Sequence, residues 1–354
     1  MKKKKLNVLI LFGGTSPEHE VSRNSAASVI ENIDYDRYEV ANIGITKEGK
    51  WFLTEATPEE MRDGRWEQLL TNKEAVLSPD RTVHGIQYEG NSQYVDVVFP
   101  VFHGECGEDG TIQGLLTIAG IPFVGSGVAS SACSMDKTLT KIIVEKTGIR
   151  QAKAFDTDRI RFSQSPLDTV ANIEDLFDNE YPLFVKPAGT GSSVGISKVK
   201  DRKELFEGIT YALEKDFKVL IEETILGREF EVAVLGNRDP NASPVGEVIS
   251  GNEFYDYEAK YSTTRSKTRI VDDVPKDKLD EFRDAAVKIY KAMGCRGLAR
   301  VDFFMTENRE LVFNELNTIP GFTPTSMYPK MWQAAGVEYS ELITKLLELA
   351  MEEI

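Results

Sequence analysis

Cysteine is scarce: Cys106, Cys133 and Cys295 are odd in number and widely spaced. They suggest neither a disulfide framework nor a zinc ribbon, and the expected compartment is reduced and cytosolic. Positive charge is outweighed, with 42 Lys and Arg against 57 Asp and Glu. The formal net charge of -15 opposes a general nucleic-acid or anionic-membrane partner, but leaves room for a local basic pocket that takes a phosphate. No apolar stretch approaches the ~20 residues needed to cross a bilayer. The opening "MKKKKLNVLILFGG" does set basic residues before an apolar run. That run is short and reaches Gly13-Gly14 without a small-residue cleavage site, so it reads as a solvated tail and a first buried strand. Tandem repeats and low-complexity tracts are absent too. What is present is 354 residues, 41% hydrophobic and 28% charged, enough for two or three domains with substantial cores.

The chain alternates between strand and helix patterns. "LNVLILF", "YEVANIGIT" and "YVDVVFPVF" read as strands, "EVSRNSAASVIENI" as a helix, and "DGTIQGLLTIAG" as a short helix stopped by Gly120. Strand, glycine turn and helix in this order predict a parallel sheet with active groups at the strand C-terminal ends. A second unit opens with an amphipathic helix carrying Leu139, Ile142, Ile143 and Lys146 and ending at Gly148. Strands "PLFVK", "VGISKVK" and "KVLIEET" follow, with the helix "RKELFEGITYALEK" between the last two. "REFEVAVLGN" opens a third unit. The polar segment "GNEFYDYEAKYSTTRSKTRIVDDVP" precedes the helix "KLDEFRDAAVKIYKAMG" and is long enough to be a functional lid or binding loop. The class of the first unit is α/β.

In "PLFVKPAGTGSSVG" an apolar strand delivers Lys186 to a turn containing Gly189, Gly191, Ser192, Ser193 and Gly195. Glycines let backbone N–H groups crowd around a phosphate, and hydroxyls add donors. The spacing is neither GxxxxGK[ST] nor GxGxxG. A Gly/Ser turn alone is more often an ordinary hairpin. Lys186 shifts the balance, because a lysine inside an apolar strand needs an anionic partner. Lys137 in "SMDKT" sits in the first turn of a predicted helix and taken alone is a surface lysine, yet two lysines from separate segments can converge on one triphosphate. Glu222 and Glu223 end a strand, and Glu229 follows after Gly227. Such acids are usually a solvated strand end; with a nucleotide present they suit an adenine amine or a ribose diol.

The stretch "RVDFFMTENRELVFNELNTIPG" carries the sharpest pattern. With "TENRE" as a turn, Asp302 falls opposite Glu315 and Arg300 opposite Asn317, and residues two apart share a strand face. Like charges directly opposite are destabilising. Phe303, Phe304, Leu311, Val312 and Phe313 mark both strands as largely buried, which argues against a solvated face. Asp302, Glu315 and Asn317 are hard oxygen ligands, and Mg2+ is held by one or two carboxylates together with substrate phosphates. Arg300 on the same face is placed to stabilise developing negative charge.

Seven segments carry a family resemblance: "FGGTSPEHEVS", "HGECGEDGTIQG", "GSGVASSACSMDK", "VKPAGTGSSVG", "FYDYEAKY", "RVDFF" and "NELNTIPGFTPTS". In order and across the whole chain, they resemble the pattern of D-alanine:D-alanine ligases of the ATP-grasp superfamily. The resemblance implies a three-domain architecture, placed here at residues 1–125, 126–222 and 223–354. ATP would lie between the last two domains, both α+β, and two D-alanines against the first. The first domain would also form a homodimer.

By motif, Lys137 and Lys186 look like the phosphate-binding lysines, with Lys260 approaching the phosphates as well. Ser192 and Ser193 lie in the phosphate loop. Glu222 would contact adenine and Glu229 the ribose, while Asp302, Glu315 and Asn317 match a site for two Mg2+ or Mn2+. Glu18 matches the carboxylate that holds the first D-alanine's ammonium, in a hydrogen-bonded trio with Ser192 and Tyr261. His103 would lie near that substrate, and Ser326 would bind the second D-alanine's carboxylate, with Met327 lining the same region. The implied chemistry is an acyl phosphate formed from the first D-alanine and ATP, then attacked by the second amine. Arg300 and the Gly321 N–H would stabilise the oxyanion, and the product would serve peptidoglycan precursor synthesis. Tyr261 favours D-alanine over D-lactate or D-serine as nucleophile. A different ATP-grasp ligase would be expected to lack the "GGTSPEHEVS" acid and "EAKY" pair together. A nucleotide-sensing protein of this fold would be expected to lose a metal ligand or Arg300. Neither departure is present.

Overall fold

The computed structural model describes residues 4–191, 194–250 and 266–352. Its first sheet has seven strands: β1 Leu6–Gly13, β2 Tyr38–Ile45, β3 Trp51–Thr54, β4 Lys73–Leu77, β5 Gly85–Tyr88, β6 Asn91–Tyr94 and β7 Val97–Val101. They lie in the order β6-β5-β4-β3-β2-β1-β7. β1 is buried from Val8 onward, as a central strand covered on both faces must be. The expected parallel arrangement holds for β2, β1 and β7 only; β3 to β6 are antiparallel. The reason is local. Glu89 and Gly90 both have positive φ and close a two-residue hairpin between β5 and β6, which can only reverse the chain.

The second sheet holds β8 Ala154–Asp158, β9 Leu183–Pro187, β10 Ser197–Val199 and β11 Lys218–Glu223, in the order β10-β9-β11-β8. The helix Arg202–Lys215 covers it with Leu205, Ile209, Ala212 and Leu213, and starts where Asp201 accepts from the Glu204 N–H at 2.8 Å. Just before this sheet the expected helix, with Lys137 in its first turn, spans Lys137–Glu145, and a separate helix, Val128–Met135, precedes it. The Asp136 carboxylate caps the later helix by accepting from the Thr138 and Leu139 N–H groups. Leu139 and Ile142 face outward, while Thr138, Thr140 and Val144 are buried.

The third sheet contains β12 Gly227–Leu235, β13 Asn241–Ala242, β14 Gly246–Ser250, β15 Ser266–Ile270, β16 Leu298–Thr306 and β17 Leu311–Asn317. Its order is β15-β14-β12-β16-β17, with β13 paired to β12. The β16–β17 register places Arg300 opposite Asn317 and Asp302 opposite Glu315, as expected. A bulge follows: Phe303 pairs with Phe313, leaving Asn314 as the extra residue.

What positions the site is a core shared between the first and third units. Ile10, Phe12 and Phe99 from one face of the first sheet pack into one cluster with Phe322, Tyr328, Trp332 and Leu346. Phe99 and Phe322 meet edge to face with centroids 5.8 Å apart, and the Tyr328 hydroxyl donates to the Val234 carbonyl at 2.9 Å. Each such side chain contributes ~1.5–3 kcal/mol when fully buried, so the two units are fastened rather than loosely tethered.

On the same face of the sheet, Trp66 is fully buried against Gly44 of β2. A Cβ at Gly44 would lie 2.8 Å from Phe12 Cζ and closer still to the Trp66 ring. Gly44→Ala is expected to destabilise the protein by about 1–3 kcal/mol through overpacking. Thermal unfolding followed by calorimetry would show a lower midpoint; an unchanged midpoint would mean that Trp66 has room to move.

Candidate active site

The first wall of the site stands at the C-terminal ends of β1 and β7. The Ser22 hydroxyl accepts from the Gly13 N–H at 2.8 Å and donates to the Val101 carbonyl, tying the two strand ends together. Ser16 repeats the device one turn further out, donating to the His103 carbonyl at 2.7 Å and accepting from the Glu18 N–H at 3.0 Å. Glu18 is thereby held at the start of the helix His19–Asn32, buried and lining a cavity of about 770 Å³. Gly104 has φ +76°, and a Cβ there would come within 2.7 Å of a Glu18 carboxylate oxygen. Only glycine suits that backbone beside that acid.

His103 is buried in the same wall. Its Nδ1 lies 3.1 Å from the Ile319 carbonyl and its Nε2 lies 3.1 Å from the Ser25 hydroxyl, which also accepts from the Phe322 N–H at 3.3 Å. A neutral ring with its proton on Nδ1 satisfies every partner. Burial also lowers the His103 pKa. His103 therefore joins the first wall to the loop before Ser326.

Glu108, to which the sequence reading assigned no role, completes this junction. Its carboxylate accepts from the Gly104 N–H at 2.8 Å and the Ile319 N–H at 3.3 Å. Burial, and then the nearby Glu18 charge, push its pKa up to about 8.

The opposite wall is cationic. Lys186 on β9 and Lys141 each place an ammonium 2.6 Å from a different oxygen of Glu222, which is buried at the end of β11. Burial alone would raise the Glu222 pKa, but the two lysines outweigh it and hold the carboxyl below its ordinary value. The anionic partner that Lys186 required is thus Glu222. Lys141 was not anticipated, although it lies four residues after Lys137 and so on the same helical face. Lys137 donates to the Thr190 carbonyl at 2.7 Å, which fixes it against the Gly-rich turn.

The floor is the β16–β17 hairpin. Arg300 makes a two-pronged pair with Asp302, Nε to Oδ1 and Nη2 to Oδ2, each at 2.7 Å. Asn317 donates to Asp302 Oδ2 at 3.0 Å. Glu231, opposite Asp302 on β12, lies 3.4 Å from Arg300 Nε. Burial works against the guanidinium charge, but Asp302 and Glu231 overcome it and hold Arg300 well above its usual pKa. Glu231 was also missed; it stands two residues after Glu229 and shares its face of β12.

The structure brings most of the anticipated residues together. Glu18, His103, Lys137, Lys186, Glu222 and Arg300 line the larger cavity. Glu315, Asn317, Gly321, Ser326 and Met327 complete the same lining. Asp302 and Glu229 line an adjoining cavity of about 130 Å³ that shares Lys137, Lys186, Glu222 and Glu315 with it. Ser192, Ser193, Lys260 and Tyr261 lie outside the described residues.

A nucleotide-sized cavity with lysines on one wall, an acid on the other and a charged hairpin beneath suits phosphoryl transfer to a small carboxylate. Comparison with known proteins agrees. Residues 7–126 match the family described as D-ala D-ala ligase N-terminus, and residues 143–348 match D-ala D-ala ligase C-terminus. The chain belongs to the D-alanine–D-alanine ligase family. Its fold is the ATP-grasp fold of these ligases. It is 48% identical to the D-alanine–D-alanine ligase of Acetivibrio thermocellus, over 98% of this chain and 96% of that protein. It is 47% identical to D-alanine–D-alanine ligase B of Clostridium tetani, over 98% of this chain and 94% of that protein. Among solved structures it resembles the VanG D-Ala:D-Ser ligase of Enterococcus faecalis, with TM-score 0.89, 38% identity, and coverage of 98% of this chain and 100% of that one. The D-alanine–D-alanine ligase of Coxiella burnetii gives TM-score 0.87 and 33% identity, covering 98% and 94%.

Glu108 gives this ligase-family site a measurable pH signature. The folded chain keeps the Glu108 proton up to about pH 8, whereas the unfolded carboxyl releases it near 4.5. Between those values the folded state binds more protons, so the stability from Glu108 is full below the lower value and lost as pH rises through the upper one. Glu108→Gln is expected to flatten the fall in unfolding midpoint between about pH 5 and 8. An identical slope in the variant would place the Glu108 pKa in the ordinary carboxylate range.

Proposed function

We propose that this protein joins two D-alanines to D-alanyl-D-alanine, converting ATP to ADP and phosphate, and so supplies a peptidoglycan precursor. The observation that carries the reading is convergence: Glu18, Lys137, Lys186, Arg300 and Glu315 come from separate segments and line one cavity. In this reading Glu18 holds the ammonium of the first D-alanine, with His103 beside it. Lys137 and Lys186 bind the phosphates, and Glu222 and Glu229 address adenine and ribose. Glu222 has the added task of holding Lys186 and Lys141 side by side.

The carboxylate of the first D-alanine attacks the γ-phosphate, giving an acyl phosphate and ADP. The amine of the second attacks the acyl carbon, loses a proton and displaces phosphate. Arg300 and the Gly321 N–H stabilise the oxyanion between these steps. Two carboxylates and an amide, Asp302, Glu315 and Asn317, fit hard divalent cations held jointly with the ATP phosphates. Two Mg2+ or Mn2+ ions there would neutralise phosphate charge. Lys260 at the phosphates, Ser192 and Ser193 in the phosphate loop, and a Glu18–Ser192–Tyr261 trio complete the assignment, on family resemblance.

We further assign residues 1–125, 126–222 and 223–354 to three domains, the first forming a homodimer, in a cytoplasmic enzyme. Among the described residues no helix is long and apolar enough to cross a membrane. The likeness to a D-Ala:D-Ser ligase makes D-serine the second nucleophile to test.

The deciding experiment measures phosphate release from ATP and Mg2+ with D-alanine alone, then with limiting D-alanine and excess D-serine or D-lactate, with products identified by mass spectrometry. D-Alanyl-D-alanine from D-alanine alone is expected. D-Alanyl-D-serine as main product would move the second-substrate assignment, and absence of D-alanine-dependent phosphate release would overturn the function. Arg300→Met, once shown by circular dichroism to be folded, is expected to lower kcat about 10²–10³-fold, the scale of losing one oxyanion donor.

A further inference from the structure

We propose that Lys330 is a recognition residue for the second substrate, its ammonium taking the carboxylate of the incoming amino acid alongside Ser326; the inference rests on the ligase reading above. Ser326 immediately precedes the helix Met327–Ala334, and Lys330 lies four residues later. The Lys330 N–H reaches back to the Ser326 carbonyl at 3.4 Å, so both side chains belong to one helical face. Both line the 770 Å³ cavity.

The charge distribution at this end of the cavity singles out Lys330. Arg62, which also lines it, donates to Glu31 at 2.6 Å, and the lining acid Glu20 is paired with Lys47. Lys330 instead donates to the hydroxyl of Thr268 on β15 at 3.2 Å. Among the described residues it has no carboxylate partner within 4.0 Å. Thr268 therefore orients the ammonium without neutralising it, at a half-buried position where an uncompensated charge is costly. A ligand carboxylate is the complement this arrangement lacks. Held between Lys330 and Ser326, it leaves the amine at the other end of the small molecule directed at the acyl carbon.

D-Alanine, D-serine and D-lactate share that carboxylate, so Lys330 sets affinity for the class and not the choice within it. D-Alaninamide lacks the charge and is the discriminating probe. In Lys330→Met, the KM for D-alanine at the second site is expected to rise about ten- to a hundred-fold, the scale of one charge-assisted hydrogen bond. The KM values for ATP and for D-alanine at the first site should stay within about twofold. Lys330→Arg should restore most of the loss. The wild-type preference for D-alanine over D-alaninamide as nucleophile should collapse in Lys330→Met, while the ratio of D-alanine to D-serine should hold. An unchanged second-site KM, or a rise equal for D-alanine and D-alaninamide, would overturn the proposal. Wild-type protein that releases no D-alanine-dependent phosphate would remove the ligase reading and this inference with it.

Discussion

The pair between Arg300 and Asp302 allows a largely buried hairpin to carry charge. Without it, Asp302 would face Glu315 across the strands and Glu231 on the neighbouring strand, three acids in one patch of low dielectric. Removing one partner of such a pair leaves an unpaired buried charge, a loss of about 3–5 kcal/mol, so the arrangement resists erosion by single substitutions. The guanidinium is planar and always charged, and it can engage Asp302 with two donors while keeping Glu231 within reach. A lysine at position 300 would offer a point charge and lose that geometry.

The same logic runs through the opposite wall. Glu222 takes two ammonium groups on its two oxygens, and gives both half-buried lysines an anionic partner. Two ammonium groups held this close repel each other, and a buried carboxylate between them offsets that repulsion.

Much of this was legible from the chain. The alternation of Arg300, Asp302, Glu315 and Asn317 around a turn placed four functional groups on one face, because strand geometry depends on a period of two and little else. The apolar surroundings of Lys186 required an anion. Which anion was not legible, since Glu222 reaches Lys186 only through the pairing of β9 with β11. Glu108 and Glu231 escaped for the same reason: their partners are distant in sequence. The helix start at Lys137 was legible too, since the aspartate before it is a good N-cap. Leu139 and Ile142 misled, because apolar spacing says that a face exists but not that anything covers it.

The core shared between the first sheet and the C-terminal helices bears on how the chain is made. Ile10 and Phe12 emerge from a ribosome more than 300 residues before Phe322, and Phe99, the last of the three, more than 200 before it; Tyr328, Trp332 and Leu346 complete the cover later still. At typical elongation rates the shorter interval lasts about 10–40 s. For that time the nascent first sheet, covered only in part by its own helix and Trp66, exposes the rest of this apolar face, which makes it a natural client for chaperones. An enzyme whose two ends share one interior completes its first domain last.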